Sequence, residues 1–230
     1  MTLVRSSTTL NKPRRKEEQL ARIDDYKESF RLAAEQLKNA NLHRLAKLSG
    51  AKIDLNGAKV ELRLPFFGVP HVVEVGEPVD VRREAPESEV PLPEKIVISH
   101  YLLHASNKPA SGELITFRQI ADGHFYFDAF QRRARDPFLA TFGHDPELFR
   151  TCGEMLGAKS VEAGDVGMVF QVLPRIDIQL VLWQGDDEFP PEASILFDAS
   201  IQNRLPVEDV AVVSGMLVYR LMGLARNQQT

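Results

Sequence analysis

The sequence is poor in thiols and in long apolar runs. Of its 230 residues one is a cysteine, Cys152. A single thiol can neither close an internal disulfide nor supply all the thiolates of an iron–sulfur cluster. No apolar run approaches the roughly 20 residues that a membrane helix requires. The first segment, 1–16, is basic and has no apolar core, so it is not a secretory signal. We therefore expect a cytoplasmic protein that has no membrane segment.

Several motifs of common enzyme classes are also missing. The chain has no GxSxG nucleophile motif, no P-loop and no GxGxxG dinucleotide motif. Its net charge of −4 provides no basic field for nucleic acid. Nothing near Cys152 activates the thiol, so we do not expect nucleophilic catalysis by that residue. These absences argue against an enzyme and against nucleic-acid binding. They leave the oligomeric state open.

What is present is the composition of an ordinary globular protein, with 43% apolar and 26% charged residues. Strand-like and helix-like segments come in local runs without a regular βαβ alternation. This order favours the α+β class, with a mainly antiparallel sheet and N-terminal, central and C-terminal helices packed on it. We expect a flexible arm at 1–16 and a single domain at 17–230, with a subdivision near residue 90 as the alternative.

The clearest secondary-structure pattern lies near the C-terminus. Apolar and other residues alternate at 176–183, which is the period of a half-buried strand. An acidic loop at 185–192 and a short apolar run at 195–197 follow. Pro206 stands where a helix would begin. A stripe at helical spacing comes after it: Val210, Val213, Leu217 and Leu221. The pattern predicts paired strands and a C-terminal helix that buries this stripe.

The rest of the chain predicts shorter elements. Helices are expected at 17–39, 42–48, 96–105, 125–135 and 146–156, and strands at 52–55, 59–64 and 69–75. Asn56-Gly57 is a strong hairpin signal. The Pro-rich and charged stretch 77–93 is interpreted as a connector, and 114–120 as either a strand or the start of a helix. A helix break is expected before Pro137.

Short motifs are spread over about residues 30–220. The densest extends from Gly185-Asp186-Asp187-Glu188-Phe189-Pro190 to Phe197-Asp198, followed by Leu205-Pro206 with Glu208-Asp209. The others are His100-Tyr101-Leu102, Gly112-Glu113, Phe117-Arg118, the run 126–133, Phe142-Gly143, Gly164-Asp165 and Pro174-Arg175. With these motifs the chain resembles an uncharacterised prokaryotic family, catalogued as a domain of unknown function and frequent in anaerobes.

Members of that family are often linked to a separate iron–sulfur cluster domain. The resemblance therefore implies a setting in anaerobic redox or corrinoid metabolism. Because this chain has no cysteine cluster, the resemblance also implies that any iron–sulfur cluster belongs to a partner protein. It supplies no reaction.

An acidic hairpin, 185–192, concentrates four carboxylates. They belong to Asp186, Asp187, Glu188 and Glu192. Together with Asp198 they offer the hard oxygen ligands that divalent cations prefer. The alternating acids of a calcium loop are absent, however, and a solvated turn balanced by arginines is the simpler interpretation.

Two further groups of residues are candidates for ligand binding. His100 and His104 are spaced i, i+4, which places both imidazoles on one helix face. The alternative is one core histidine and one surface histidine. An aromatic and basic helix carries Tyr126, Phe130, Arg132, Arg133 and Arg135. Such a helix can stack on and pair with a planar anion, and Arg175 is a similar carboxylate partner. The alternative is that its aromatic residues are core while its arginines pair with the acidic hairpin.

We expect a non-catalytic ligand-binding or accessory domain that engages a small anionic ligand, a cofactor of unassigned identity or an iron–sulfur or corrinoid partner protein. The alternative is a metal-dependent enzyme that uses the acidic hairpin. The expected site residues are His100, Tyr126, Arg132, Arg133, Arg175, Asp186, Asp187, Glu188 and Asp198. We further predict that one of Arg132, Arg133 and Arg175 pairs with a hairpin carboxylate or with Asp198 across a concave surface.

Overall fold

The structure is a computed structural model that describes residues 12–56, 59–86 and 88–228. The helices are α1 (Lys12–Lys38), α2 (Leu42–Ser49), α3 (Leu92–Leu103), α4 (Gly123–Phe130), α5 (Asp136–Phe142), α6 (Pro146–Met155) and α7 (Val207–Gln228). The strands are β1 (Lys52–Asn56), β2 (Lys59–Phe66), β3 (Val69–Val75), β4 (Asp80–Arg83), β5 (Leu114–Thr116), β6 (Lys159–Val161), β7 (Val166–Leu173), β8 (Ile176–Trp183) and β9 (Glu192–Asp198). The α+β class is therefore confirmed.

The strands are divided between two antiparallel sheets. One has the order β1-β2-β3-β4 and the other β5-β9-β8-β7-β6. The Phe67 N–H, just after β2, donates to the Val172 carbonyl of β7 at 2.9 Å. The buried Tyr101 hydroxyl of α3 donates to the Ser49 carbonyl of α2 at 2.5 Å. These contacts join the two halves of the chain, while the single-domain boundary at 17–230 stays a prediction.

Local sequence signals determine where several helices begin and end. The Asn41 side chain accepts the Arg44 N–H at 3.0 Å and caps α2, which ends at Gly50 in the left-handed conformation. Asp145 caps α6 in the same way by accepting the Leu148 N–H at 2.9 Å. Both helices lie within one residue of the expected ranges 42–48 and 146–156, because these signals come from neighbouring residues.

The apolar stripe predicted for the C-terminal helix α7 lies in the core. Its stripe residues all have 0% exposure: Val210, Val213, Leu217 and Leu221. Its closest backbone neighbours are α4, α5, α6 and the segment that joins α4 to α5. The predicted burial of the stripe is confirmed. Within the described parts of the chain, no helix combines the length and the apolarity needed to cross a membrane.

Several predicted boundaries were wrong. Helix α1 begins at Lys12 and not at residue 17. Residues 1–11 of the expected arm lie outside the described residues, and the flexibility of the arm stays a prediction. The supposed connector 77–93 contains β4, whose short and charged sequence has little periodicity. Residues 114–120 are both of the alternatives, since β5 leads into a 3-10 turn at Phe117–Gln119. The Gly57 half of the hairpin turn lies outside the described residues.

The predicted helix break before Pro137 is replaced by a wide turn. Residues Gln131–Arg135 form a π-helical turn between α4 and α5, and the helical path continues to Phe142. Pro137 lacks an N–H and would clash with a carbonyl one turn earlier in a regular α-helix. A π turn relieves this conflict by widening the backbone locally. The three arginines of the predicted basic helix lie in this turn.

Candidate functional site

A groove runs between α1, α3 and α7. It consists of a larger cavity of about 530 Å³ with mainly apolar walls and a smaller cavity of about 190 Å³. Tyr26 of α1, Pro93 of α3 and Val212 of α7 line both cavities, so the two form one continuous depression. Ligand sites in proteins have this character, with apolar walls and a few polar groups. We call this depression the α1/α3/α7 groove.

Arg133 enters the larger cavity from the π turn. A Cβ atom added to Gly215 of α7 would lie 3.2 Å from the Arg133 carbonyl oxygen, so this glycine permits the close approach of the two backbones. Arg133 is half-buried. No carboxylate forms an ion pair with it in residues 12–56, 59–86 or 88–228. Its positive charge is therefore available to a bound anion.

Arg220 is the second cation that lines the larger cavity, and its side chain is positioned by a carboxylate and an aromatic ring. Its Nη2 donates to Glu94 Oε1 at 3.0 Å, and its guanidinium carbon lies 4.1 Å from the centre of the Phe67 ring. Glu94 is 7% exposed. Cation–π stacking and a buried carboxylate together fix the guanidinium plane. Arg220 is thus a positioned group of the groove wall.

Behind Arg220 lies a buried polar cluster made of His71, Arg83, Glu94 and Arg220. Glu94 Oε2 is 3.5 Å from Arg83 Nη2 and 3.9 Å from His71 Nε2. The Nδ1–H of His71 donates to the Val69 carbonyl at 2.8 Å, an assignment that leaves Nε2 as the acceptor of the neutral ring. Burial lowers the pKa of His71 and favours that neutral form. The cluster therefore carries a net positive charge towards the groove.

The smaller cavity contains a histidine–carboxylate pair. His100 Nδ1 lies 2.6 Å from Oδ2 of the buried Asp209, which is in the first turn of α7. His104 is exposed, and its Nδ1 interacts with the His100 carbonyl at 2.9 Å. In the part of the chain that the structure describes, no group of three or more metal-ligating side chains comes together. The His100–Asp209 contact ties α3 to α7, and both residues line the smaller cavity.

The other predicted basic residues do not converge on this groove. Arg132 is exposed, and Arg135 donates from Nε to the Ala193 carbonyl at 3.4 Å on another side of the π turn. Arg175 is exposed near Gly50, where a Cβ atom added to the glycine would lie 3.9 Å from the arginine Nε. Tyr126 packs against the core. Successive side chains of a helical turn point in different directions, so residues that are adjacent in the sequence do not share one surface.

The acidic hairpin is a surface turn stabilised by its own backbone. Asp186 Oδ1 accepts the N–H groups of Phe189 at 2.7 Å and Glu188 at 2.8 Å. The hydrogen bond from Phe189 lowers the pKa of Asp186 the most, and the hydrogen bond from Glu188 lowers it further. All four carboxylate residues of the hairpin are exposed. The simpler interpretation, a solvated turn, describes this geometry.

The predicted pairing between arginine and the acidic residues was wrong. Across the described ranges, none of Arg132, Arg133 and Arg175 forms an ion pair with the hairpin or with Asp198. Asp198 instead accepts backbone N–H groups from Ser111 at 3.0 Å, Gly112 at 2.7 Å and Ser200 at 2.8 Å. Burial alone would raise its pKa, but these hydrogen bonds outweigh burial and hold the pKa well below the usual range. Backbone donors thus supply the compensation that we assigned to arginines.

Cys152 lies inside the core at 0% exposure. Burial raises the pKa of its thiol, and the nearby Asp145 raises it further. A raised pKa leaves little of the nucleophilic thiolate at neutral pH. The structure therefore gives no support to nucleophilic chemistry at this residue.

Sequence reasoning missed much of the groove. Tyr26 and Arg220 were interpreted as parts of helices and not as site residues. Glu94 fell between the expected connector 77–93 and the helix expected at 96–105, although it lies in the first turn of α3. Glu94 and Arg220 are 126 positions apart, so no local pattern links them. One signal was available for Glu94: it is the single carboxylate beside a mainly apolar run, and such a residue is usually paired when buried.

The comparisons with known proteins give one match. A family model described as a domain of unknown function, DUF3786, matches residues 41–220. The matched range begins at the cap of α2 and ends at Arg220, so it includes both sheets and all of the groove residues of α3 and α7. Tyr26 and the rest of α1 lie outside it. No curated protein and no solved structure matches the chain.

Proposed function

The chain belongs to the DUF3786 family of domains of unknown function, and on that premise we propose that it binds a small anionic ligand in the α1/α3/α7 groove. One observation carries this proposal. Arg133 lines a largely apolar cavity of about 530 Å³ and has no carboxylate partner in the described part of the chain. A half-buried arginine of this kind is suited to an incoming carboxylate, sulfonate or phosphate.

The rest of the groove supports the same assignment. Arg220 adds a second cation whose orientation is fixed by Glu94 and Phe67. Tyr26 and Tyr219 line the same cavity, and Tyr219 is 57% exposed. Aromatic rings beside two guanidinium groups suit a planar anion, which stacks on the rings and pairs with the cations. The proposed role is that of a binding or accessory domain.

The resemblance to a family linked to iron–sulfur proteins extends this proposal to the biological setting. In this proposed setting, the domain works in the cytoplasm of an anaerobe beside an iron–sulfur or corrinoid partner protein. A cluster would be held by the partner, because the chain has a single cysteine and that residue is buried. The anionic ligand would then be a cofactor or metabolite that the two proteins share.

Native mass spectrometry of protein purified without oxygen tests the binding proposal. The wild-type protein is compared with Arg133→Gln and with the control Arg132→Gln, which removes the neighbouring exposed charge outside the groove. We expect a retained anionic molecule in the wild type and in the control, and its loss from Arg133→Gln. Equal retention by both variants, or a bound molecule that is a cation, would contradict the proposal.

A further inference from the structure

A second cleft lies between the π turn, the 3-10 turn after β5 and strand β9, and it shares no lining residue with the α1/α3/α7 groove. Its volume is about 440 Å³, which is within the size range of small-molecule sites in proteins. The polar side chains around it include Arg118, Gln131, Arg135 and Ser194, whereas no carboxylate belongs to its described lining. We call it the β9 cleft. Its walls combine two positive charges with neutral polar groups.

Arg118 is held in this cleft by an aromatic ring. Its guanidinium carbon lies 4.1 Å from the centre of the Phe127 ring, and within residues 12–56, 59–86 and 88–228 it forms no ion pair. Gly123 permits this stacking, because a Cβ atom there would collide with the Phe117 carbonyl oxygen and keep α4 away from the preceding turn. Cation–π stacking occupies a face of the guanidinium and leaves the N–H groups at its edge free to donate. Arg118 is therefore an oriented cation that lacks a carboxylate partner.

Arg135 is the second cation of the β9 cleft, and it is oriented by the sheet. Its Nε donates to the Ala193 carbonyl at 3.4 Å, which leaves the two Nη groups for other acceptors. A carboxylate oxygen of the exposed Asp136 lies 3.8 Å from Nη1, and water screens a contact of this kind. Gln131 begins the same π turn and lines the same cleft, and its amide has no hydrogen-bond partner in the described part of the chain.

The charge of the β9 cleft favours a doubly charged occupant. No carboxylate lines the described cleft, so a ligand with two negative charges offsets both guanidinium groups. A phosphate monoester carries about two negative charges at neutral pH and three acceptor oxygen atoms, whereas a carboxylate or a sulfate ester carries a single charge. Gln131 and Ser194 add neutral donors for the remaining oxygen atoms. The volume of about 440 Å³ leaves room for the rest of a phosphorylated molecule.

We infer that the β9 cleft binds the phosphate group of a small phosphorylated molecule. Arg118 of the 3-10 turn and Arg135 of the π turn pair with the phosphate oxygen atoms. Buried apolar side chains, among them Phe130 and Ile195, also line the cleft and contact the organic part of the ligand. The inference does not rest on ligand binding in the α1/α3/α7 groove, because the two sites use different arginines.

Isothermal titration calorimetry with phenyl phosphate and phenyl sulfate tests this inference, since the two probes differ in charge and hardly in shape. The titrations use the Arg133→Gln protein, in which the α1/α3/α7 groove has lost its unpaired cation, so that binding there does not mask the β9 cleft. At about pH 8 we expect phenyl phosphate to bind at least about tenfold more tightly than phenyl sulfate. At about pH 5 the phosphate has lost one charge while the arginines keep theirs, and the two affinities should agree within about threefold.

Further variants in the same background assign the binding to the two arginines. Arg118→Gln and Arg135→Gln should each weaken phenyl phosphate binding about tenfold, while the exposed Arg132→Gln should leave it within about twofold. Inorganic phosphate should bind more weakly than phenyl phosphate, because it lacks an organic part. If Arg135→Gln fails to fold, Arg118→Gln decides the question, since the Arg118 side chain is exposed and lies outside the core.

Four results would overturn the inference. The first is equal affinity for phenyl phosphate and phenyl sulfate at about pH 8, and the second is an unchanged affinity for phenyl phosphate in Arg118→Gln. The third is inorganic phosphate that binds as tightly as the ester, because the cleft would then accept a free anion. The fourth is no detectable binding of phenyl phosphate up to about 1 mM.

Discussion

The acidic hairpin holds four carboxylates in eight residues, whereas the α1/α3/α7 groove holds two arginines and one histidine–aspartate pair. In the hairpin every carboxylate is exposed to water, and Asp186 is satisfied by its own turn. In the groove Arg220 is tied to a buried glutamate 126 positions away. The number of charges in a segment therefore says less about binding than how they are desolvated and positioned.

Removal of the buried carboxylate behind the groove should have the largest effect. Glu94→Ala leaves Arg83 and Arg220 without their common partner, and loss of one member of a buried ion pair costs about 3–5 kcal/mol. Urea unfolding measures the change in the free energy of unfolding. The matched surface change Glu188→Ala should leave the unfolding midpoint unaltered. Equal midpoint shifts for both variants would remove the distinction between the two regions.

The helix that forms one wall of the groove should also be sensitive. Leu217 of α7 has 0% exposure, and Leu217→Ala should cost about 2–5 kcal/mol through lost burial and a residual cavity. Tyr219→Ala, two residues further and 57% exposed, is the control with a much smaller expected loss. Unfolding midpoints within error of each other would show that this face of α7 is not core.

Asp198 lies between these extremes, as a carboxylate satisfied by backbone N–H groups. Asp198→Asn removes an acceptor from Gly112, and we expect a loss of about 1–2 kcal/mol at pH 7. The folded-state pKa of Asp198 is lowered, so the stabilisation is present above the unfolded pKa of about 3.9. It is lost as pH falls through the folded pKa. The difference between wild type and variant should therefore shrink below about pH 4.

The smallest effect is expected at Asp186 itself. Asp186→Ala removes two short hydrogen bonds within an exposed turn, and its consequence should be confined to local order. Amide hydrogen exchange at Phe189 should become faster while the global unfolding midpoint stays unchanged. A clear fall in the midpoint would show that the hairpin supports the fold, contrary to its interpretation as a solvated turn.

The sequence predicted the features that depend on near neighbours. The alternation at β8, the ranges of α2 and α6 and the stripe of α7 depend on residues close in the chain, and each was found in the structure. His100 and Arg133 were named as ligand-binding candidates, and the structure places both in the groove. Their being binding residues stays a prediction.

The sequence could not show which residues meet across the fold. The pairing of Glu94 with Arg220 and of His100 with Asp209 joins helices more than a hundred residues apart. The proposed arginine–hairpin pairs failed because clusters of opposite charge were matched without knowledge of side-chain direction in the π turn. Backbone donors, which carry no signature in the side-chain sequence, compensate Asp186 and Asp198 instead.

The central claim, that the groove and not the hairpin is the binding surface, is tested most directly by a titration with 8-anilinonaphthalene-1-sulfonate. This dye joins aromatic rings to one sulfonate and so matches the groove chemistry. Arg133→Gln should weaken dye binding about tenfold, the loss expected for one charge-assisted contact. A variant with Asp186→Asn, Asp187→Asn and Glu188→Gln should bind as the wild type does. Unchanged binding by Arg133→Gln, together with altered binding by the hairpin variant, would contradict the claim.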